Sequence, residues 1–193
     1  MLRVAKVIPK TTAEGPHERL ALWVAGCDLA CPGCCNPELF APEAGTSLDR
    51  SALARLIEDA SDVEGITVLG GEPLQQPGGL AFVLRLARAR GLGTIVFTGY
   101  TLGAAQRLPD FDEVDANVDT WVDGPFDARR PETRRRFIGS SNQRLHHRTS
   151  RYADATLWNG RTRVEVRIGP GGAVEAHGLP RGVARLRRAL HRT

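Results

Sequence analysis

No apolar run in this 193-residue chain approaches the roughly 20 residues that a bilayer-spanning helix needs, so no transmembrane segment is expected. The opening stretch Met1-Leu2-Arg3-Val4-Ala5-Lys6 has neither an apolar h-region nor a small-residue cleavage site, which argues against a secretory signal and for a cytoplasmic protein. Cysteine is scarce, with four residues. In a reducing compartment these are more readily metal ligands than disulfides. Lysine is nearly missing: 24 of the 26 basic residues are arginine. There is no internal repeat and no long linker, and the length fits one domain with a sizeable core.

The basic residues are unevenly spread. Residues 127–151 carry eight arginines against two acids, and residues 181–193 carry five arginines and no acid, so the remainder is acidic on balance. Such patches fit a charged partner surface or an anionic ligand, or else a solvated arginine-rich face. Neither stretch has an aromatic platform on which single-stranded bases could stack, so nucleic acid is not favoured.

Strand-like and helix-like segments alternate. Leu20–Ala25 reads as a buried strand running into a cysteine loop, and Thr46-x-x-Asp49 resembles a capping box ahead of a helix with Leu53, Leu56, Ile57 and Ala60 on one face. Ile66–Leu69 reads as a strand ending in Gly70-Gly71. Leu80, Val83, Leu84 and Ala87 mark a second helix closed by Gly91, and Thr94–Phe97 reads as the next strand. A brief helix over 103–108 and a strand near 118–122 follow. This order implies an α/β fold with a mostly parallel sheet, in which the loops after the strands share one edge. Cys27–Cys34, Gly70–Pro73, Thr98–Tyr100 and Asp123-Gly124 would meet there, where such sheets bind ligands. The last stretch reads as a β-hairpin (163–168 and 173–177) and a basic helix (181–192).

Cys27, Cys31 and Cys34 are spaced C-x3-C-x2-C. Three thiolates this close can hold one inorganic site with a coordination position left free. Structural zinc needs a fourth ligand, and Cys35, adjacent to Cys34, chelates the same ion poorly. A closed four-cysteine cluster lacks its distant fourth cysteine. Zinc, a closed cluster and an open-site cluster all remain readings of the residues, with the open site favoured. Gly70-Gly71-Glu72-Pro73 joins two flexible residues, an acceptor and a fixed turn, or is an ordinary turn after a strand. Thr98 and Tyr100 read as pocket residues or as sheet capping, and Asp123 as a ligand group or a turn residue. Ser140, Ser141 and Asn142 are short polar groups suited to holding a loop, flanked by Arg134, Arg135, Arg136 and Arg144. His146-His147 has no ligand-spaced partner and reads as surface.

The cysteine spacing and the Gly-Gly-Glu-Pro run resemble the radical S-adenosylmethionine (SAM) superfamily. Glu14-Gly15-Pro16, Arg19, Cys34-Cys35-Asn36-Pro37-Glu38, Phe97–Tyr100, Val122–Phe126 and Gly139–Arg144 resemble, over roughly residues 1–150, the activating proteins of anaerobic (class III) ribonucleotide reductase, which are glycyl-radical activating enzymes. The resemblance implies an incomplete (β/α) barrel and a [4Fe–4S] cluster on Cys27, Cys31 and Cys34, with SAM on its open iron. It implies SAM contacts from Gly70, Gly71, Glu72, Pro73, Thr98, Tyr100 and Asp123, and a partner surface at Ser140, Ser141, Asn142 and Arg144. Reductive cleavage of SAM would then give a 5′-deoxyadenosyl radical that takes hydrogen from a glycine of the reductase. An external one-electron donor such as flavodoxin or ferredoxin is implied, because no second cluster is encoded. There are departures, His17 after Gly15-Pro16, Cys35 beside the third ligand and the hairpin and basic helix after about residue 155; Cys35 and the hairpin keep open a radical SAM enzyme acting on another peptide or small molecule. On this reading residues 1–155 form the core and residues 156–193 a hairpin-and-helix extension packed on it.

Overall fold

A computed structural model describes residues 1–160, 164–169, 171 and 174–178. Seven strands form one sheet in the order β3-β1-β2-β4-β5-β6-β7. Its centre is four parallel strands, β2 (Arg19–Val24), β4 (Gly65–Gly70), β5 (Gly93–Phe97) and β6 (Thr120–Asp123). Antiparallel strands flank them: β1 (Leu2–Thr11) and β3 (Thr46–Leu48) on one side, β7 (Arg144–His147) on the other.

The central strands are apolar at consecutive positions because both faces of the sheet are covered. Leu20, Leu22 and Val24 of β2, Ile66 and Val68 of β4, Val96 of β5 and Trp121 of β6 face the main core. Against them pack α1 (Arg50–Glu58), α2 (Pro77–Ala89) and α4 (Phe111–Asp115), through Leu53, Ile57, Leu80, Val83, Leu84, Phe111 and Val114. The alternate positions Ala21, Trp23, Leu69, Ile95, Phe97 and Val122 belong to two smaller clusters on the other face. There the packing of the body runs on through Tyr152 and Trp158 to Gly160, whose amide donates to Arg134 O at 3.1 Å.

The helix starts and stops follow local chemistry. Thr46 lies in β3 rather than in a capping box; Asp49 is itself the N-cap, accepting the Ala52 amide at 2.8 Å. The sequence pattern over 103–108 resolves into a short α3 (Leu102–Ala105), with α4 after Pro109. Gly91, at φ 74°, ends α2 as the residue after its C-cap. The hairpin expected near the C-terminus is β8 (Val164–Ile168) paired with β9 (Val174–Gly178); the basic helix expected over 181–192 lies outside the described residues. Among the described residues no helix is long and apolar enough to cross a membrane.

Candidate active site

The chain leaves β2 at Val24 and enters the cysteine loop, which is held at both ends by backbone bonds. Gly26 N donates to Leu39 O at 2.9 Å, Cys27 N to Phe40 O at 3.0 Å, and Cys34 N to Cys31 O at 3.0 Å. The turn after β4 lies directly beside it. Gly71 N donates to Val24 O and Glu72 N to Gly26 O, both at 2.8 Å, so the parallel ladder of β2 and β4 continues into the two loops. This explains the paired glycines. A Cβ on Gly71 would lie 2.5 Å from Gly26 O, and one on Gly70 would lie 2.8 Å from Val24 N and O. The close approach that they permit is between two pieces of backbone.

Glu72 fastens this turn to the end of β5. Its Oε1 accepts from Leu74 N at 2.9 Å and Thr98 Oγ1 at 2.9 Å, and its Oε2 from Gly99 N at 2.8 Å. Burial pushes the carboxyl up to about 7 against the pull of these donors. Glu72 therefore acts as a brace as well as a cavity wall.

The loops enclose a cavity of about 850 Å³ on the face of the sheet opposite the main core. Of the residues named from sequence, Cys27, Cys31, Cys34, Gly70, Gly71, Glu72 and Thr98 line it. Pro73 and Tyr100 do not: Pro73 is buried in the following turn, and Tyr100 packs on the main core with its hydroxyl accepting from Gln75 Nε2 at 3.4 Å. Asp123 is turned to scaffold work. It accepts from Leu102 N at 2.5 Å at the start of α3, and its other oxygen lies 3.2 Å from His146 Nε2.

The 139–144 run meets the cavity through Gly139 and Gln143. Gln143 Oε1 accepts from the amides of Gly139 and Ser140, and its Nε2 donates to Gly124 O. Ser140 is fully buried with its Oγ accepting from Asp127 N, Asn142 Nδ2 donates to Pro125 O, and Ser141 and Arg144 are exposed. Part of the arginine-rich stretch is structural: Arg135 donates to Glu132, Gln143 O and Ser141 O. Burial pushes Glu132 up, but the amides of Arg134, Arg135 and Thr133 and the Arg135 side chain outweigh it and hold the carboxyl at about 2.

Glu14 and Phe126, from the Glu14-Gly15-Pro16 and Val122–Phe126 runs, also line the cavity, as do Lys6, Trp23 and His177, which belong to no motif. Trp23 is readable as a neighbour of the cysteine loop, whereas Lys6 and His177, far apart in sequence, meet only where the β8–β9 hairpin packs against β1.

The thiols themselves differ. Burial raises Cys27, against amide donors from Leu29 and Ala30. Cys35 is exposed and its thiol donates to the Cys34 sulfur, which holds Cys34 down at about 6. Among the described residues no three His, Cys, Asp or Glu side chains gather around one point as a single ion such as zinc requires. Three thiols lining one cavity fit a multi-iron cluster, in which each thiolate would meet a different iron.

Comparison with known proteins indicates a 4Fe-4S domain. Residues 13–146 match the 4Fe-4S single cluster domain family. The chain is 32% identical over 157 residues to the anaerobic ribonucleoside-triphosphate reductase-activating protein of Salmonella typhi, covering 76% of this chain and 99% of that protein. It is 34% identical over 150 residues to the protein of that name from Escherichia coli strain K12 (72% and 94% covered). For the one from Enterobacteria phage T4 the identity is 28% over 150 residues (75% and 93% covered).

Proposed function

Because the chain belongs to the 4Fe-4S single cluster domain family and to the anaerobic ribonucleoside-triphosphate reductase-activating proteins, we propose that it is a radical SAM activating enzyme whose partner is an anaerobic ribonucleotide reductase. The observation that carries this is the single cavity shared by Cys27, Cys31, Cys34, Gly70, Gly71 and Thr98. When bound, the cluster supplies one electron to the sulfonium of SAM, giving methionine and a 5′-deoxyadenosyl radical that takes a hydrogen atom from a glycine of the reductase.

The chain's own residues do the positioning. Cys27, Cys31 and Cys34 would hold the cluster and leave a coordination position open for SAM. Gly70 and Gly71 set the loops close together, and Glu72 braces Thr98 and Gly99 at the cavity wall. The Gln143 side chain fixes Gly139 and Gly124 at the rim, where the polypeptide would approach. The parallel strands β2, β4, β5 and β6, with ligand groups at their carboxyl ends, support an incomplete (β/α) barrel of the radical SAM kind. The electron would come from a separate donor such as flavodoxin or ferredoxin, in a cytoplasm that keeps the thiols reduced.

The hairpin lies beyond the matched residues 13–146 and contributes to the cavity wall, which favours a second reading: a radical SAM enzyme acting on another peptide or small molecule. The test mixes the anaerobically reconstituted protein, SAM and a reductant with the anaerobic reductase polypeptide and looks for a glycyl-radical doublet by electron paramagnetic resonance. The doublet is the expected result. SAM cleavage without a doublet selects the second reading, and a protein that holds no iron overturns both.

A further inference from the structure

Two neighbouring glutamines follow the Gly70–Pro73 turn, and each reaches across to two other segments. Gln76 Oε1 accepts from Arg3 N at 2.7 Å and its Nε2 donates to Ala25 O at 2.9 Å, so it ties β1 to the residue after β2. Gln75 reaches further into the site. Its Oε1 accepts from Asp28 N at 3.2 Å, and its Nε2 donates to Tyr100 OH at 3.4 Å. One side-chain amide thus bridges the cysteine loop and the loop after β5. Asp28 N can only donate, so the carbonyl end of that amide has to face it, and the Tyr100 hydroxyl takes the NH2 end.

The backbone that Gln75 holds is the part that serves Cys27. The Cys27 sulfur accepts from the amides of Leu29 and Ala30. In this turn Ala30 has φ 42°, in the left-handed region that a residue with a side chain disfavours. Such a conformation persists where the surroundings hold it. Asp28 and Ala30 are exposed, so little packing does so. Among the described residues, the bond from Asp28 N to Gln75 is the one hydrogen bond that ties residues 28–30 to a distant segment. Leu29 adds an apolar contact at Gly99, where an added Cβ would lie 2.5 Å from Leu29 Cδ1. Apolar packing fixes a position but not the direction of a peptide N–H, and a hydrogen bond fixes both.

We infer that Gln75 is a positioning residue for the cluster: through the Asp28 amide it keeps the Leu29 and Ala30 N–H groups on the Cys27 sulfur, and so makes the cluster easier to reduce. The inference rests on the cluster ligation in the function proposed above. Hydrogen bonds to a ligating sulfur raise a cluster's reduction potential, because they stabilise the extra negative charge of the reduced state. Tyr100 then has a part as well. It lies off the cavity, and its hydroxyl orients the Gln75 amide. Gln76 is the internal comparison, since it leaves the same turn and makes two bonds of its own, neither of them to residues 27–34.

The experiment uses full-length wild type, Gln75→Leu, Tyr100→Phe and Gln76→Leu, each reconstituted anaerobically and analysed for iron. The midpoint potential of the cluster is measured by redox titration followed by electron paramagnetic resonance. Amide hydrogen exchange over residues 28–30 is measured on the metal-free proteins. The expected midpoint is more negative than wild type in Gln75→Leu, shifted the same way by less in Tyr100→Phe, and that of wild type in Gln76→Leu. Exchange over 28–30 should be about fivefold faster in Gln75→Leu. A Gln75→Leu midpoint equal to wild type overturns the inference whatever the exchange rate. So does an equal shift in Gln76→Leu, which would mean general loosening of the turn. Should Gln75→Leu take up no iron, Tyr100→Phe decides, and an unchanged midpoint there overturns the inference. SAM left uncleaved by a wild type that holds its cluster overturns the proposed function and not the midpoint comparison. A wild type without a cluster overturns both.

Discussion

The amide of Gly99 donates to Glu72 Oε2 at 2.8 Å, and this bond locks the turn after β4 to the end of β5. Leu74 N and Thr98 Oγ1 occupy the other oxygen, both at 2.9 Å. Three donors thus converge on a group that is 1% exposed. A glutamine there has one acceptor and one donor, so at least one of these donors meets another N–H. Above about pH 8, where the carboxyl is ionised, Glu72→Gln is predicted to cost about 1–3 kcal/mol. Urea unfolding of the metal-free protein measures it, and iron retained after reconstitution should fall in parallel. A Glu72→Gln protein as stable as wild type would mean that the Thr98–Gly99 loop is held by other contacts.

The same junction makes Gly71 irreplaceable. Its added Cβ would lie 2.5 Å from Gly26 O, which already accepts the Glu72 amide. The obstacle is backbone, so relief requires the cysteine loop to move. Gly71→Ala is predicted to destabilise by about 3 kcal/mol and to lower the iron content. Gly78→Ala is the control: nothing lies within 4 Å of its Cβ in the first turn of α2, and the change should stay within about 1 kcal/mol. Equal melting temperatures for the two variants would remove the steric explanation.

Arg19 works at the opposite end of the parallel strands. It is fully buried and donates to Thr67 Oγ1 at 2.7 Å, Glu64 Oε2 at 2.9 Å, Tyr152 OH at 2.7 Å and Ile66 O at 2.6 Å. Its planar fork pins the starts of β2 and β4 to the segment after β7. Arg19→Met strands these acceptors and is predicted to destabilise by about 3–5 kcal/mol, read as a shift of the urea midpoint. The cavity is built at the other strand ends, so residual folded protein should still take up iron. Loss of iron at unchanged stability would place Arg19 in the site.

The contrast between Cys27 and Lys6 shows what could be read in advance. The loops after β2, β4 and β5 meet because consecutive βα units put successive loops on one edge, and their motifs are local in sequence. Strand β1 escaped the pattern reading because Arg3, Lys6 and Lys10 interrupt it and Pro9 argues against a strand interior. It tolerates them because β3 covers only its first residues, Leu2 to Val4. Strand β7 was hidden in an arginine-rich run, since its partner β6 is set by topology and its own residues, Arg144 to His147, have little strand propensity. The Lys6–His177 wall depends on the β8–β9 hairpin packing on β1 through side chains separated by most of the chain, which no local spacing encodes.

Cys35 separates thiol chemistry from ligation. It is exposed and donates its S–H to Cys34, which keeps Cys34 more acidic than an ordinary thiol. Cys35→Ala removes that donor and leaves the three spaced thiols in place. The variant is predicted to keep about four irons per chain, as one [4Fe–4S] cluster requires, and to differ in how fast it oxidises in air. Replacement of Cys27, Cys31 or Cys34 by Ala should lose the cluster, checked by iron analysis and the visible absorption of the anaerobic protein. Cluster loss in Cys35→Ala would reassign the ligand set.

Glu14 should make stability depend on pH in a defined direction. Burial pushes its carboxyl from 4.5 to about 8, while Gly178 N donates to Oε1. Between these values the folded protein keeps the proton and the unfolded chain has lost it. The contribution is therefore fully present below about pH 4.5 and is lost as pH rises towards 8, with a slope of at most about 1.4 kcal/mol per pH unit. Glu14→Gln retains an oxygen for Gly178 and has no proton to lose. Its urea midpoint, measured on the metal-free protein, should match wild type near about pH 5 and exceed it above about pH 8. Coincident midpoints across that range would show that Glu14 ionises in the folded protein as easily as in water.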